Sequence, residues 1–175
     1  MNLLTNAIDL TSKDRVLVFQ ETEKYLSGLE FHIVKKDESR PWGGFFVINE
    51  NQAEYFADLF FPETQLSTLY KTGKLSPKIL LVEPQKRLSW QYHHRRAEIW
   101  RVLAGKVNVV TSFSDEESDV ITLMAGQVIS LEKGERHRLV GTNEWGVVAE
   151  IWQHTDASHP SDEDDIVRLQ DDYGR

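Results

Sequence analysis

From residue 76 onward the chain alternates short apolar runs with turn signals. KILLVEP, LSWQYH, EIWRVLAG, KVNVVTSF, DVITLMAG, QVISLEKG, HRLVGT and GVVAEIWQH follow one another at strand-like lengths, broken by Gly, Pro, Asn and Asp. This rhythm predicts an antiparallel sandwich or small barrel over 76–154. The preceding residues are patterned differently. Thr11 and Asp14 give a capping-box-like start to a helix over 11–28, with Val16, Phe19 and Leu26 on one face and Gly28 as its stop. GLEFHIVKK predicts a strand, and Pro41 with Gly43-Gly44 a turn before a second one. Asn51 and Glu54 cap a short helix, NQAEYFADLFF, that Pro62 ends, and 63–77 read mostly as loop. The tail HTDASHPSDEDDIVRLQDDYGR has the composition of a disordered or surface-lying segment. The expected organisation is one domain, with 1–75 packed on the barrel, 76–154 as the barrel core and 155–175 as an acidic tail folding back over it.

Composition narrows the chemistry. Hydrophobic residues make up 40% and charged residues 27%, ordinary values for a globular chain able to bury a core. A net charge of −8 argues against a nucleic-acid partner, whose phosphates need a basic surface. A pocket can still be locally basic on an acidic protein. The absence of cysteine removes disulfides and thiolate metal sites, so any metal must be held by His, carboxylate, amide or water. The N-terminus lacks a basic start followed by an apolar core, and no apolar run approaches membrane-spanning length. The expectation is a cytoplasmic protein without membrane contact. Strand edges make a homodimer a reasonable further expectation.

One stretch concentrates polar chemistry inside a strand pattern: LSWQYHHRRAEIWRVLAG, residues 88–105. Alternation puts Gln91 and His93 on one face and His94 on the other. Glu98 follows across the bend RRA and can face the same interior, Gly105 closes that strand, and His137 after the turn EKGE can supply a fourth group. Singly, each would more often be a polar group satisfied by ordinary hydrogen bonds. Together they have metal-site spacing. His94 is expected at the surface, and His32, His154 and His159 are expected to be structural or solvated. Trp90, Trp100, Trp145 and Trp152 are expected to pack the barrel. The acidic run at 162–165 has the wrong spacing for a calcium loop and reads as a solvated connection.

These positions resemble the cupin motifs, commonly written G-x5-H-x-H-x3,4-E-x6-G and G-x5-P-x-G-x2-H-x3-N. Gln91, His93, Glu98 and Gly105 fall in register with the first, and Gly126, Gly134 and His137 with the second. Departures are Gln85, Glu132 and Gly141 at turn positions and Gln91 in place of the first histidine. The Q-x-H pair, RPWG at 40–43, the RLS, QxHH, RAE and W segments of 87–100, and EDDIVRL with the terminal YGR are similar to the type II phosphomannose isomerases. The first 38 residues show no counterpart, 49–75 are longer than the family connection, and the nucleotidyltransferase domain that often precedes such cupins is absent from this sequence.

The resemblance implies an all-β cupin barrel (double-stranded β-helix, jelly-roll type) with one or two added helices. It implies one divalent metal on Gln91, His93, Glu98 and His137. Zn²⁺ suits that mixed N/O set, and Mn²⁺, Co²⁺, Ni²⁺ or Fe²⁺ are compatible with it. The implied reaction is aldose–ketose isomerisation of mannose 6-phosphate to fructose 6-phosphate through a cis-enediol. Lys78 and Arg96 are the expected catalytic residues, and Lys78, Arg87, Arg96, Arg175 and Trp42 the expected contacts to a phosphosugar. The general base is left between Lys78 and His94. A heptose or pentose phosphate isomerase and a non-catalytic sugar-binding cupin are the alternatives.

Overall fold

The computed structural model describes residues 8–69 and 72–174. Helix α1 (Arg15–Gly28) begins one turn later than the Thr11 signal suggests, because the side chain of Asp14 accepts the backbone N–H groups of Val16 and Leu17. Its buried stripe is Val18, Phe19, Thr22 and Leu26, and Val16 is 60% exposed. Strands β1 (Ile33–Arg40) and β2 (Gly43–Ile48) form a hairpin. Asn49, rather than Asn51, then caps a 3-10 turn (Glu50–Gln52) leading into α2 (Ala53–Phe60). The stretch expected as loop contains a four-residue helix, α3 (Leu66–Leu69).

The barrel strands are β3 (Lys78–Val82), β4 (Trp90–His93), β5 (Arg96–Ser112), β6 (Ile121–Met124), β7 (Val128–Leu131), β8 (Arg136–His154) and β9 (Ile166–Gln170). All nine strands belong to one antiparallel sheet, ordered β1-β2-β3-β8-β4-β9, with β5 bonded to β6, β7 and β8. The four apolar runs expected as separate strands at 98–113 and 137–154 are two long ones, β5 and β8, paired from Arg96↔His154 to Ser112↔Arg136. Gly105 does not end its strand. It sits at φ 71° between two register slips, and a Cβ there would lie 2.1 Å from the carbonyl oxygen of Trp145. The ladder bends at that point without breaking, which lets two strands serve both halves of a barrel.

Two cores flank this sheet. On β3 and β8, Leu80, Val82 and Val148 face the barrel interior with Trp42, Phe45, Trp100, Val109 and Leu139. Their neighbours Ile79, Leu81, Val147, Ala149 and Ile151 face outward and are covered by Phe19, Phe46, Phe56 and Phe60 from α1, β2 and α2. Burial on both faces explains why these strands read as unbroken apolar runs rather than alternating ones. Among the described residues no helix is long and apolar enough to cross a membrane.

The tail is neither disordered nor merely solvated. After β8 the chain returns across the barrel mouth through a 3-10 turn (Glu163–Asp165), and β9 adds to the edge of β4. Asp165 is buried and accepts the backbone N–H groups of His94 and Arg95 and the hydroxyl of Ser161. The acidic run is thus a strap, pinned by residues 65 or more positions earlier.

Candidate metal centre and cavity

His93, Glu98 and His137 lie together, their ligand atoms within 4.8 Å of one another, and all three side chains are buried. The topology explains the meeting. Gln91 on β4 is the register partner of His137 on β8, His93 is two residues further along β4, and Glu98 is the third residue of the bent strand β5. His94, on the opposite face, is exposed.

Hydrogen bonding fixes the tautomers. His93 Nδ1 is 3.1 Å from the carbonyl of Asp165, and His137 Nδ1 is 3.0 Å from the carbonyl of Glu135. A carbonyl only accepts, so each Nδ1 carries the hydrogen and each Nε2 presents a lone pair. Those Nε2 atoms stand 3.1 Å and 3.4 Å from the two oxygens of Glu98. Burial holds the His93 imidazole below its ordinary pKa, against the pull of Glu98. Burial also opposes ionisation of Glu98, but the Arg96 guanidinium beside it counters that and holds its pKa well below the usual carboxylate range. Lone pairs therefore converge on a carboxylate with no hydrogen between them. Glu98 Oε2 and His137 Nε2 are buried without a hydrogen-bond partner. That donor set fits a divalent cation.

Arg96 completes one side. It is buried, donates from Nε to Glu98 Oε1 at 2.7 Å, and places Nη2 3.2 Å from His93 Nε2. Its Nη1 reaches Ser161 and the carbonyl of Asp162 on the strap, and its guanidinium stacks on Trp152 at 3.6 Å. Gln91 lies on the wall of the adjoining cavity with its amide oxygen accepting the hydroxyl of Ser89 at 2.6 Å.

The cavity has a volume of about 350 Å³ and Glu98 forms part of its lining. Lys78 and Trp42 line it as well, and the indole N–H of Trp42 is buried without a hydrogen-bond partner. Lys78 Nζ is 2.5 Å from Glu163 of the strap and 3.8 Å from the ring centroid of Trp152. Arg87 lies outside the cavity lining, and its guanidinium is committed to both oxygens of Asp172, which ties down the tail. Arg175 lies outside the described residues. Lys35, Arg40 and Arg168 line the cavity although the sequence did not single them out as site residues. Of these, Arg168 was within reach, since it belongs to the EDDIVRL segment and pairs in register with Gln91. Glu150 was also missed. Among the described residues none of the lining comes from 49–75.

The xanthan biosynthesis protein XanB of Xanthomonas campestris is 28% identical over 182 residues, covering 98% of this chain and 33% of its own length. The alginate biosynthesis protein AlgA of Pseudomonas aeruginosa is 30% identical over 125 residues, 71% of this chain and 24% of its own. This chain thus spans about a third or less of those relatives. The XanB match reaches into the first 38 residues, for which the sequence alone had offered no counterpart. A Bacillus subtilis oxalate decarboxylase structure superposes with a TM-score of 0.51 at 19% identity, over 81% of this chain and 30% of that one, which is a likeness of fold alone. Residues 48–171, well over half of the sequence, match the family described as mannose-6-phosphate isomerase C-terminal. The chain belongs to that family, on a cupin barrel.

Proposed function

We propose that the protein is a metal-dependent aldose–ketose isomerase of sugar phosphates, interconverting mannose 6-phosphate and fructose 6-phosphate. One observation carries this reading: the buried cluster of His93, Glu98 and His137 adjoins a cavity ringed by Lys35, Arg40, Lys78, Arg96 and Arg168. Carbonyl chemistry needs a polarising centre, and a phosphate needs cations; here the two adjoin.

His93, Glu98 and His137 would hold the cation, with the amide oxygen of Gln91 as a fourth donor. When bound, a divalent ion supplies Lewis acidity toward the carbonyl and hydroxyl oxygens of the open-chain sugar. Lys78, with Lys35, Arg40 or Arg168, binds the phosphate. The unpartnered indole N–H of Trp42 can donate to a sugar hydroxyl. The strap between Ser161 and Asp165 covers the cluster and excludes water from it. This chain's own residues thus bind, orient and seclude the substrate.

The test is metal analysis of the purified protein followed by a coupled assay for fructose 6-phosphate. Stoichiometric metal and turnover lost on chelation and regained on reconstitution are the expected results. Tight phosphosugar binding without turnover by any divalent metal would overturn the reading in favour of a binding protein. Preferential turnover of a heptose or pentose phosphate would move the substrate.

A further inference from the structure

We propose that Glu150 carries the proton between C1 and C2 of the substrate, an assignment that rests on the isomerase reading above. Its position follows from register. Glu150 on β8 pairs with Lys78 on β3 and with Trp100 on β5, so these three side chains form one row on the interior face of the barrel. Its carboxyl lines the cavity with Glu98 and Gln91 and is 5% exposed. Glu98 pairs with Trp152, two residues from Glu150, which places the two glutamates diagonally across the β5–β8 ladder, roughly 7–8 Å apart at Cα. A sugar whose O1 and O2 face the His–Glu–His cluster therefore has C1 and C2 within reach of Glu150.

How the carboxyl is held distinguishes it from its neighbours. Glu98 accepts from the Arg96 guanidinium and faces the lone pairs of two imidazoles, and Glu163 is paired with Lys78. Glu150 instead takes two neutral donors, the indole N–H of Trp100 on one oxygen and that of Trp152 on the other, each at 3.0 Å. These bonds fix the carboxyl rigidly and leave on each oxygen a further lone pair. Of the two bases left open by the sequence, Lys78 has its Nζ committed to Glu163 and to the face of Trp152, and His94 lies on the opposite face of its strand.

Burial, and then the charge of Glu98, push Glu150 up to about 7, against Lys78, Arg96 and the Trp100 bond. A carboxyl poised near neutrality can both take and return a proton. In the forward direction the C2–H bond breaks with its proton going to Glu150. The C–H electron pair forms the C1–C2 double bond, and the C1 carbonyl pair moves onto oxygen. Collapse of the enediol returns the proton from Glu150 to C1 while the hydroxyl proton of O2 passes to O1. Nothing is oxidised or reduced overall, and no co-reactant is needed.

Three proteins are compared in deuterated solvent with mannose 6-phosphate: the parent, Glu150→Gln and Trp100→Phe. Metal content, substrate KM, kcat and solvent-deuterium incorporation into the sugar are read for each. Glu150→Gln is expected to keep metal and KM within about threefold while kcat and deuterium incorporation fall together by about 10²- to 10⁴-fold. Trp100→Phe, which keeps the carboxyl but removes one donor to it, should move the acidic limb of the kcat profile to higher pH. If Glu150→Gln does not fold, this shift alone decides: an unmoved acidic limb overturns the assignment. Glu150→Gln turning over at the parental rate also overturns it and leaves the isomerase reading standing. A parent inactive on every phosphosugar overturns both.

Discussion

The strap makes a sharp prediction through Asp165. Its carboxylate accepts from His94 N at 3.1 Å, Arg95 N at 3.0 Å and Ser161 Oγ at 2.6 Å, and the side chain is buried. Asp165→Asn preserves shape but offers only one acceptor oxygen. If that oxygen keeps Arg95 N and Ser161, the new NH₂ faces His94 N–H, donor against donor. One stranded buried donor costs about 1–3 kcal/mol, and the two surviving bonds each lose about 1 kcal/mol with the negative charge. The sum is about 3–5 kcal/mol against opening of the strap, a large share of a typical domain stability of about 5–15 kcal/mol. The carbonyl of the same residue holds His93 Nδ1, so an open strap also frees the imidazole. Loss of such an outer partner typically weakens metal binding about 10- to 100-fold. Hydrogen exchange over 155–170 and metal titration test both halves. Parental protection of the strap together with parental metal affinity in Asp165→Asn would refute the reasoning.

Three further outcomes follow from single residues. Lys78→Met should raise the KM for a phosphosugar roughly 10- to 100-fold, the worth of one charge-assisted bond, with metal content unchanged; steady-state kinetics and metal analysis check it. His154 accepts the Ser161 N–H on Nδ1, and burial, helped by Lys74 and Arg96, lowers it from 6.5 to about 4. The folded state therefore binds fewer protons in that window, so this contribution is intact above pH 6.5 and is lost as pH falls toward 4, up to about 3 kcal/mol. Urea melts from pH 7 to 4 should slope more steeply for the parent than for His154→Gln. Phe56 is fully buried and packs on Phe31 and Phe60, so Phe56→Ala should cost about 3–5 kcal/mol in urea melts while leaving the cavity residues in place.

What the sequence disclosed depended on how local the signal was. Gln91, His93 and Glu98 sit within one strand–bend–strand unit, so a period of two was enough to split His93 from His94 and to group the rest. The bend at Gly105 was misread because a glycine at positive φ marks a bulge as readily as a turn; only the continuous pairing of β5 with β8 tells them apart. Glu150 escaped notice because one of its two partners lies fifty positions away and the other, Trp152, reads simply as barrel packing. Its indole donors come from β5 and from two residues on, and its one sequence signal is a lone acid at an inward position of an apolar run, Val148-Glu150-Trp152. Arg87 drew attention as a cation beside the motif, yet its partner Asp172 lies 85 positions away in the tail.

The tail shows why composition failed there and what that failure means for the site. An acidic segment lacks the apolar surface to order itself, and this one is ordered by partners that themselves need it. Arg96 is buried; Glu98 takes its Nε, its Nη2 faces His93 Nε2, and its Nη1 donates to Ser161 and to the Asp162 carbonyl on the strap. Lys78 is met by Glu163, and His93 by the Asp165 carbonyl. Without the strap, a buried arginine, a buried lysine and a histidine of the cluster would each lose an acceptor, at a cost that burial makes severe. The strap and the cluster therefore stabilise each other, and linkage makes the relation reciprocal. Whatever binds more tightly to the cluster when His93 is held must favour the closed strap by the same free energy. Asp165, outside the cavity lining, then acts on the site through the strap it anchors.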